Sequence, residues 1–423
     1  MRPSTGSMKK SVSPSEIKGT VTAPASKSVM QRAAAAALLS DSPVTIVNPG
    51  RDEDSRSALG IIRSLGAKVA ESDDRVLIKS GSAEPRSPLD CGESGLSLRL
   101  FTPVAALFDR ESELIGRGSL LKRPAGVIES VLADLGAACS TQNGFAPVTV
   151  RGPLRGGRAR VDASLGSQFL TGLLMALPRA PQDSELEVRS LVSIPYIEIT
   201  LRVLEEFQVS VERRDFQFFR IPGGQKYERA EYRVEGDWSG AAFLLTAAAL
   251  AGPVSVEGLR PDSLQGDKKI VDVLAASGAA VRVTSERIEA APGELRAFEF
   301  DVTHCPDLAP PLVVLASRCR GESVIRGTER LAHKESNRAE VLVREFQSLG
   351  VDIRLEPGLM RVRGGTIRGG EADSHGDHRI AMALAVAGLA ARDAVVIHDA
   401  GCVIKSYPDF FEDLRSLGGR VHE

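Results

Sequence analysis

Lys27, Ser28 and Arg32 stand together in APASKSVMQRAAAAALLS, residues 23–40, just ahead of an apolar run that reads as helix. Two cations at a helix start oppose the partial positive charge of its free N–H groups. Long side chains reaching water from an exposed first turn would explain one such case. They do not explain recurrence. Arg99 follows Ser94 and Gly95 in CGESGLSLR, and Gln168 follows Ser167 in SLGSQ. Asp307 stands in CPDL, and Asp377, His378 and Arg379 stand in GDHR. A second set comprises Arg123 in KRP, Ser193 and Tyr196 in SIPY, Lys334, Glu335 and Arg338 in HKESNR, and Lys405 in CVIKSYP.

Free N–H groups with Lys or Arg added beside them make anion sites. Ser28 and Arg32 are four residues apart, as are Lys334 and Arg338, so each pair shares a helix face. Eight cations (Lys27, Arg32, Arg99, Arg123, Lys334, Arg338, Arg379, Lys405) face few acids, mainly Asp54, Asp307 and Glu335. Such an excess inside a cleft implies ligands with several negative charges, phosphates and carboxylates together. Each charged hydrogen bond to them contributes roughly 1.5–3 kcal/mol.

The elements that position these residues follow from long-range periodicity. An amphipathic helix, a left-handed stop, a β-branched strand and a turn recur, with stops at Gly66, Gly136, Gln208, Gly278, Gly350 and Gly418. Their spacings are 70, 72, 70, 72 and 68 residues. Glycine suits the left-handed position that closes a helix; Gln208 is the exception. In step with this series, helices apolar on nearly all faces begin near Ser26, Ser94, Ser167, Asp237, Asp307 and Asp377. Such helices must be buried, and Ser and Asp are good N-caps.

The chain therefore holds six βαβαββ units, and the fold class is α/β. Two similar domains of three units each bury their helices beneath sheets, an inside-out α/β barrel, with the active site in the cleft between domains. The break is expected near YERAEYRVEGDWSG. The strand in SEIKGTVTAP is expected to cross over and pair with the last unit, making one domain discontinuous: 1–24 plus 236–423, against 25–235.

Gross properties bound the function. At 423 residues one ordinary core is exceeded. A net charge of −2 argues against a global basic surface for nucleic acid or anionic membrane. Five scattered cysteines, with no CxxC pair, fit a reduced cytoplasmic protein. The N-terminus lacks the apolar core of a signal peptide, and its first several residues read as a disordered tail.

Ten segments in register carry a resemblance along essentially the whole chain: ASKSVMQRA, GESGLSLR, KRP, SQFLTGLLMALP, SIPYIEIT, VEGDWSGAAF, PDLAP, HKESNRA, GDHRIAMA and KSYPDFF. Together they resemble the enolpyruvyl transferases, most closely the EPSP synthase family. That resemblance implies transfer of the enolpyruvyl group of phosphoenolpyruvate to shikimate 3-phosphate, with phosphate released and no metal or organic cofactor. It implies a soluble monomer acting on small molecules. Domain 25–235 would bind mainly shikimate 3-phosphate, and the discontinuous domain mainly phosphoenolpyruvate.

Residue by residue, the resemblance implies that Lys27 contacts both substrates, while Ser28 and Arg32 take the shikimate carboxylate. Ser167, Gln168, Ser193 and Tyr196 line the shikimate phosphate pocket. Gly95, Arg123 and Gln168 cradle the phosphate of phosphoenolpyruvate, and Arg338, Arg379 and Lys405 clamp its carboxylate. Asp307 is the base, Glu335 the acid, Lys334 holds the 4-hydroxyl, and His378 supports the network. Several positions depart from the family pattern. Glu93 stands where Asn is frequent, Leu96 and Ser97 replace Thr-Ala, Gly166 replaces a serine, and Ile194 replaces a lysine. Arg330 falls at a phosphate-binding Asn position and is expected to restore the charge lost with that lysine. Gly95 leaves room for glyphosate, whereas its altered neighbours put sensitivity in doubt. A sister family acting on UDP-N-acetylglucosamine usually carries a cysteine before its Arg-Pro, and LIGRGSLLKRP has none. A non-catalytic anion-binding paralogue is the other alternative; intact Lys27, Asp307 and Glu335 speak against it.

Overall fold

The computed structural model describes residues 8–81 and 88–423. The tail expected at the first residues lies outside them. The chain folds into two compact units, Met1–Pro24 with Gly236–Glu423, and Ala25–Glu235. No helix among the described residues is long and apolar enough to cross a membrane.

Each unit carries three four-stranded sheets with one shared order. In each sheet a first strand runs parallel to a second, and two antiparallel pairings complete the set. Strands Gly157–Asp162 and Ser184–Arg189, for example, are parallel over six residues. Ser184–Arg189 then pairs antiparallel with Phe218–Ile221, and that strand with Glu212–Arg214. In four of the six sheets the two parallel strands are joined by one buried helix, as a parallel crossover requires.

The six buried helices are Lys27–Leu39, Gly95–Ala105, Gln168–Ala176, Trp238–Ala251, Ala309–Ala316 and His378–Leu389. Small side chains let them pack deeply: Ala33 to Ala37 are all at 0% exposure. At one crossing the packing reaches the backbone, because a Cβ on Gly172 would sit 2.5 Å from the Arg99 carbonyl oxygen. That close approach brings the starts of Gly95–Ala105 and Gln168–Ala176 side by side.

Two expectations need correction. The strand from SEIKGTVTAP, Gly19–Thr22, pairs in parallel with Val254–Glu257 of the fourth repeat, not with the last. Its reciprocal is Glu231–Arg233, which pairs with Val44–Val47 of the first. The sixth sheet is filled instead by Lys10–Ser13, antiparallel to both Val395–His398 and Arg420–His422. The sixth repeat contributes three strands of its own, and an earlier segment takes the fourth place, between two of them.

Capping is the second correction. Ser94, Asp237 and Asp377 cap their helices with side-chain oxygens. Ser26 and Ser167 make no side-chain cap bond, and Asp307 lies inside the 3-10 turn Pro306–Leu308 that precedes its helix. A carboxylate set within a turn is aimed sideways rather than back onto the helix amides, which frees it for other partners.

The helix stops all take positive φ: Gly66 +103°, Gly136 +89°, Gly278 +99°, Gly350 +83°, Gly418 +104°, and Gln208 +63°. Gln208 thus keeps the conformation without the residue type, at roughly 1–2 kcal/mol of strain. Gln208→Gly is expected to raise stability by about 0.5–1 kcal/mol, since relief exceeds the entropy that glycine adds to the unfolded chain. The urea midpoint of unfolding checks this. An unchanged or lower midpoint contradicts it, and Gly136→Ala should move the midpoint the other way.

Candidate active site

In the unit Ala25–Glu235, the first helix presents both cations. Lys27 Nζ lies 2.8 Å from Asp54 Oδ2, both side chains being mostly buried. Asp54 is delivered by the helix Glu53–Ser64, whose Asp52 N-cap accepts from Ser55 N at 2.9 Å. One turn on, Arg32 is 1% exposed. Its Nε donates to Thr200 Oγ1 at 2.9 Å, Nη2 to Thr171 Oγ1 at 3.2 Å and the Tyr196 carbonyl at 3.1 Å, and Nη1 back to the Ser28 carbonyl at 2.6 Å. All these acceptors are neutral, and no carboxylate among the described residues pairs with it. Burial pulls the Arg32 guanidinium down to about 10. It is a buried charge held by neutral acceptors alone, which is costly.

Ser167 and Ser193 are each buried, at the starts of helices Gln168–Ala176 and Ile194–Glu206. Ser193 adopts a left-handed φ of 58° at its N-cap, with Pro195 behind it in the first turn. Left-handed non-glycine residues concentrate at functional positions. Gly166 sits at φ +150°, a conformation a serine would rarely adopt, so the departure there suits the backbone. Tyr196 is half-buried, and its carbonyl supports Arg32.

A second cradle in the same unit surrounds Gly95. A Cβ there would lie 2.8 Å from Arg123 Nη1, 2.9 Å from Arg99 Nη1 and 3.3 Å from Gln168 Oε1. Arg99 donates to Gln168 Oε1 at 3.1 Å, to the Gly95 carbonyl at 3.0 Å and to the Pro124 carbonyl at 2.7 Å. Burial, then the nearby Arg123 charge, bring Arg99 down to about 10. Ser94 and Ser97 both donate to Gln31 Oε1, at 3.1 and 2.9 Å, which ties this helix start to the one carrying Arg32. Ser97 is thereby structural, and Leu96 is buried.

In the other unit, Arg338 is the centre. Fully buried, it donates to Asp307 Oδ1 at 2.8 Å, Glu335 Oε2 at 2.8 Å and Asp377 at 3.0 and 3.2 Å. Arg379 reaches Asp307 Oδ2 at 3.1 Å and Lys334 reaches Oδ1 at 3.7 Å. Lys405, buried at the end of the 3-10 turn Ala400–Lys405, lies 3.9 Å from Glu335. His378 is buried with Nδ1 3.9 Å from Asp377. Arg330 donates to the Thr303 carbonyl at 2.9 Å, beside the turn that bears Asp307.

Burial pushes the Asp307 carboxyl up, but Arg379, Lys334 and Arg338 outweigh it and hold it well below its ordinary value. It is ionised, and a weak base until some of those cations turn elsewhere. Burial lowers Lys334, Arg338 and Arg330 add to that, and Asp307 and Glu335 only partly compensate; it falls to about 8. For Arg338 burial is outweighed by Asp377, Glu335 and Asp307, which raise it.

Sequence reasoning had undercounted the acids. Asp377 is more than a cap, because it also holds Arg338 and accepts from Ser336 Oγ at 3.1 Å. Asp267 is buried, accepts from the Ser239 hydroxyl, and is pushed to about 7 by burial and by Asp307. Thr171 and Thr200, which carry Arg32, were also missed. Threonines one turn inside apolar helices read as ordinary core, and only their hydroxyl partner distinguishes them.

The chain was compared with known families and structures. The profile of the family described as EPSP synthase (3-phosphoshikimate 1-carboxyvinyltransferase) matches residues 12–414. A 3-phosphoshikimate 1-carboxyvinyltransferase from Methanocorpusculum labreanum is 37% identical, covering 98% of this chain and 100% of that protein. One from Aeropyrum pernix is 40% identical, covering 97% and 96%. The structure of EPSP synthase from Acinetobacter baumannii superposes with a TM-score of 0.83 at 25% identity, covering 99% of this chain and 100% of that one. A profile spanning nearly every residue, joined to full-length relatives well above 30% identity, places the chain in the EPSP synthase family.

Proposed function

We propose that this transferase moves the enolpyruvyl group of phosphoenolpyruvate to the 5-hydroxyl of shikimate 3-phosphate by addition and elimination. The observation that carries the reading is that one buried guanidinium, Arg338, holds both Asp307 and Glu335 at 2.8 Å. A base and an acid are thus fixed by a common group, which suits a reaction needing both.

Arg32 and Ser28 take the shikimate carboxylate, the anion that the buried guanidinium lacks, while Lys27 contacts both substrates. Ser167, Gln168, Ser193 and Tyr196 receive its phosphate, and Arg330 adds charge to that end. Gly95, Arg123 and Gln168 hold the phosphate of phosphoenolpyruvate, whose carboxylate faces Arg379, Lys405 and the one Arg338 N–H that no carboxylate takes. The unit 25–235 takes mainly shikimate 3-phosphate, and the other mainly phosphoenolpyruvate.

Asp307, helped by the Lys27 charge, receives the 5-hydroxyl proton as its oxygen bonds to carbon 2, and Glu335 protonates the methylene carbon. The tetrahedral adduct then loses phosphate as a methyl proton returns to a carboxylate and the double bond reforms. Lys334 orients the neighbouring hydroxyl, and His378 keeps Asp377 in place. Positioning and charge account for most of the acceleration. The substrates are small molecules, the catalyst works as a cytoplasmic monomer, and no step calls on a metal or organic cofactor.

Three measurements test this. Phosphate release should need both substrates, with UDP-N-acetylglucosamine unable to replace shikimate 3-phosphate; release without the shikimate ester rejects the reading. Asp307→Ala should lose roughly 10²–10⁴-fold in kcat, and near-normal turnover removes the base. Finally, Lys334 is charged below about 8 and neutral above it. The kcat/KM profile should therefore fall as pH rises through about 8, and Lys334→Arg should move that limb upward. A profile flat to pH 9.5 assigns the hydroxyl contact elsewhere.

A further inference from the structure

Beside the Gly95 cradle stands a carboxylate that the reaction does not use. Glu93 Oε2 accepts from Ser119 N at 3.1 Å and from Ser119 Oγ at 2.9 Å. Ser119 Oγ accepts in turn from Arg123 Nη2 at 3.4 Å, completing a relay from carboxylate to guanidinium. One hydroxyl can donate once and still accept, so the three groups are mutually consistent. The approach is tight enough to constrain the loop. Gly118 lies at φ +55°, and a Cβ on it would overlap the Glu93 carboxyl.

Neighbouring contacts fasten the same two segments. Arg117 N donates to the Gly92 carbonyl at 2.8 Å. Arg117 Nη1 lies 3.3 Å from Asp90 Oδ2, while Asp90 Oδ1 accepts from Gly92 N at 2.8 Å. The loop from Arg117 to Arg123 is therefore pinned along one edge, and Glu93 makes the pin nearest the cradle. A negative group here works against anion binding by its charge alone. Its presence calls for a compensating role, and the relay supplies one.

We propose that Glu93 is a positioning residue that sets Arg123 for the phosphate of phosphoenolpyruvate by fastening Ser119. The inference rests on assigning that phosphate to Arg123, Gly95 and Gln168. Glu93 acts through its acceptor oxygen, not through its charge, so glutamine can substitute where alanine cannot. Gly118 is required because the carboxyl fills the space a side chain would need.

Steady-state kinetics and binding of inorganic phosphate by calorimetry test this on the full chain. Glu93→Ala should raise KM for phosphoenolpyruvate about tenfold, leave KM for shikimate 3-phosphate within twofold, and weaken inorganic phosphate about tenfold. Glu93→Gln should return the phosphoenolpyruvate KM to within threefold of the parent. Ser119→Ala should raise the same KM roughly fivefold. Equal rises in both KM values, a fall in thermal midpoint alone, or a glutamine variant as impaired as alanine overturns the proposal. If the parent binds phosphate but does not turn over, the functional reading fails while the phosphate arm still decides the role of Glu93.

Discussion

A guanidinium with nowhere to discharge is the constraint behind the rest of this architecture. Arg32 is buried among neutral acceptors, and Arg99 is held the same way beside Arg123. Taking a charge out of water costs several kcal/mol even after relaxation. Neutral hydrogen bonds recover part of that, and a bound anion recovers more. The buried helices exist to hold these groups: alanine-rich faces let helix starts meet closely, as Gly172 does against the Arg99 carbonyl.

The other unit meets the opposite difficulty, with three carboxylates gathered on Arg338 and with Lys334, Arg379 and Lys405 around them. Removing one partner from such a buried set leaves an uncompensated charge, at about 3–5 kcal/mol. The set is therefore stiff. It also keeps Asp307 ionised but too weakly basic to take a proton readily. A substrate carboxylate that draws Arg379 away would raise its basicity at the moment it is needed, which would couple binding to activation.

Much of this was legible in the chain. Apolar helices and left-handed stops at intervals near 70 residues specify six repeats because both signals are local. Gln208 shows the conformation persisting where the residue type does not. What failed was long-range pairing. Gly19–Thr22 carries nothing that distinguishes the fourth repeat from the sixth as its partner, since related sheets offer related edges. At the site, residue types announced the cations, yet Asp377 read as a cap, Glu93 as a departure from the family pattern, and Asp267 drew no reading. Their roles depend on partners 39, 28 and 26 residues away, which spacing rules for a single helix do not reach.

If Arg32 binds an anion as proposed, it is kept at the expense of folding stability. Replacing it with methionine leaves no orphan, because Thr171 and Thr200 still bond each other at 3.0 Å and Thr200 still donates to the Tyr196 carbonyl at 2.8 Å. The decisive measurement is thermal unfolding of Arg32→Met with and without shikimate 3-phosphate. The ligand-free variant should be more stable than the parent, by roughly 1–4 kcal/mol, and should gain nothing from ligand. A variant that is less stable without ligand, yet still stabilised by it, would contradict the account.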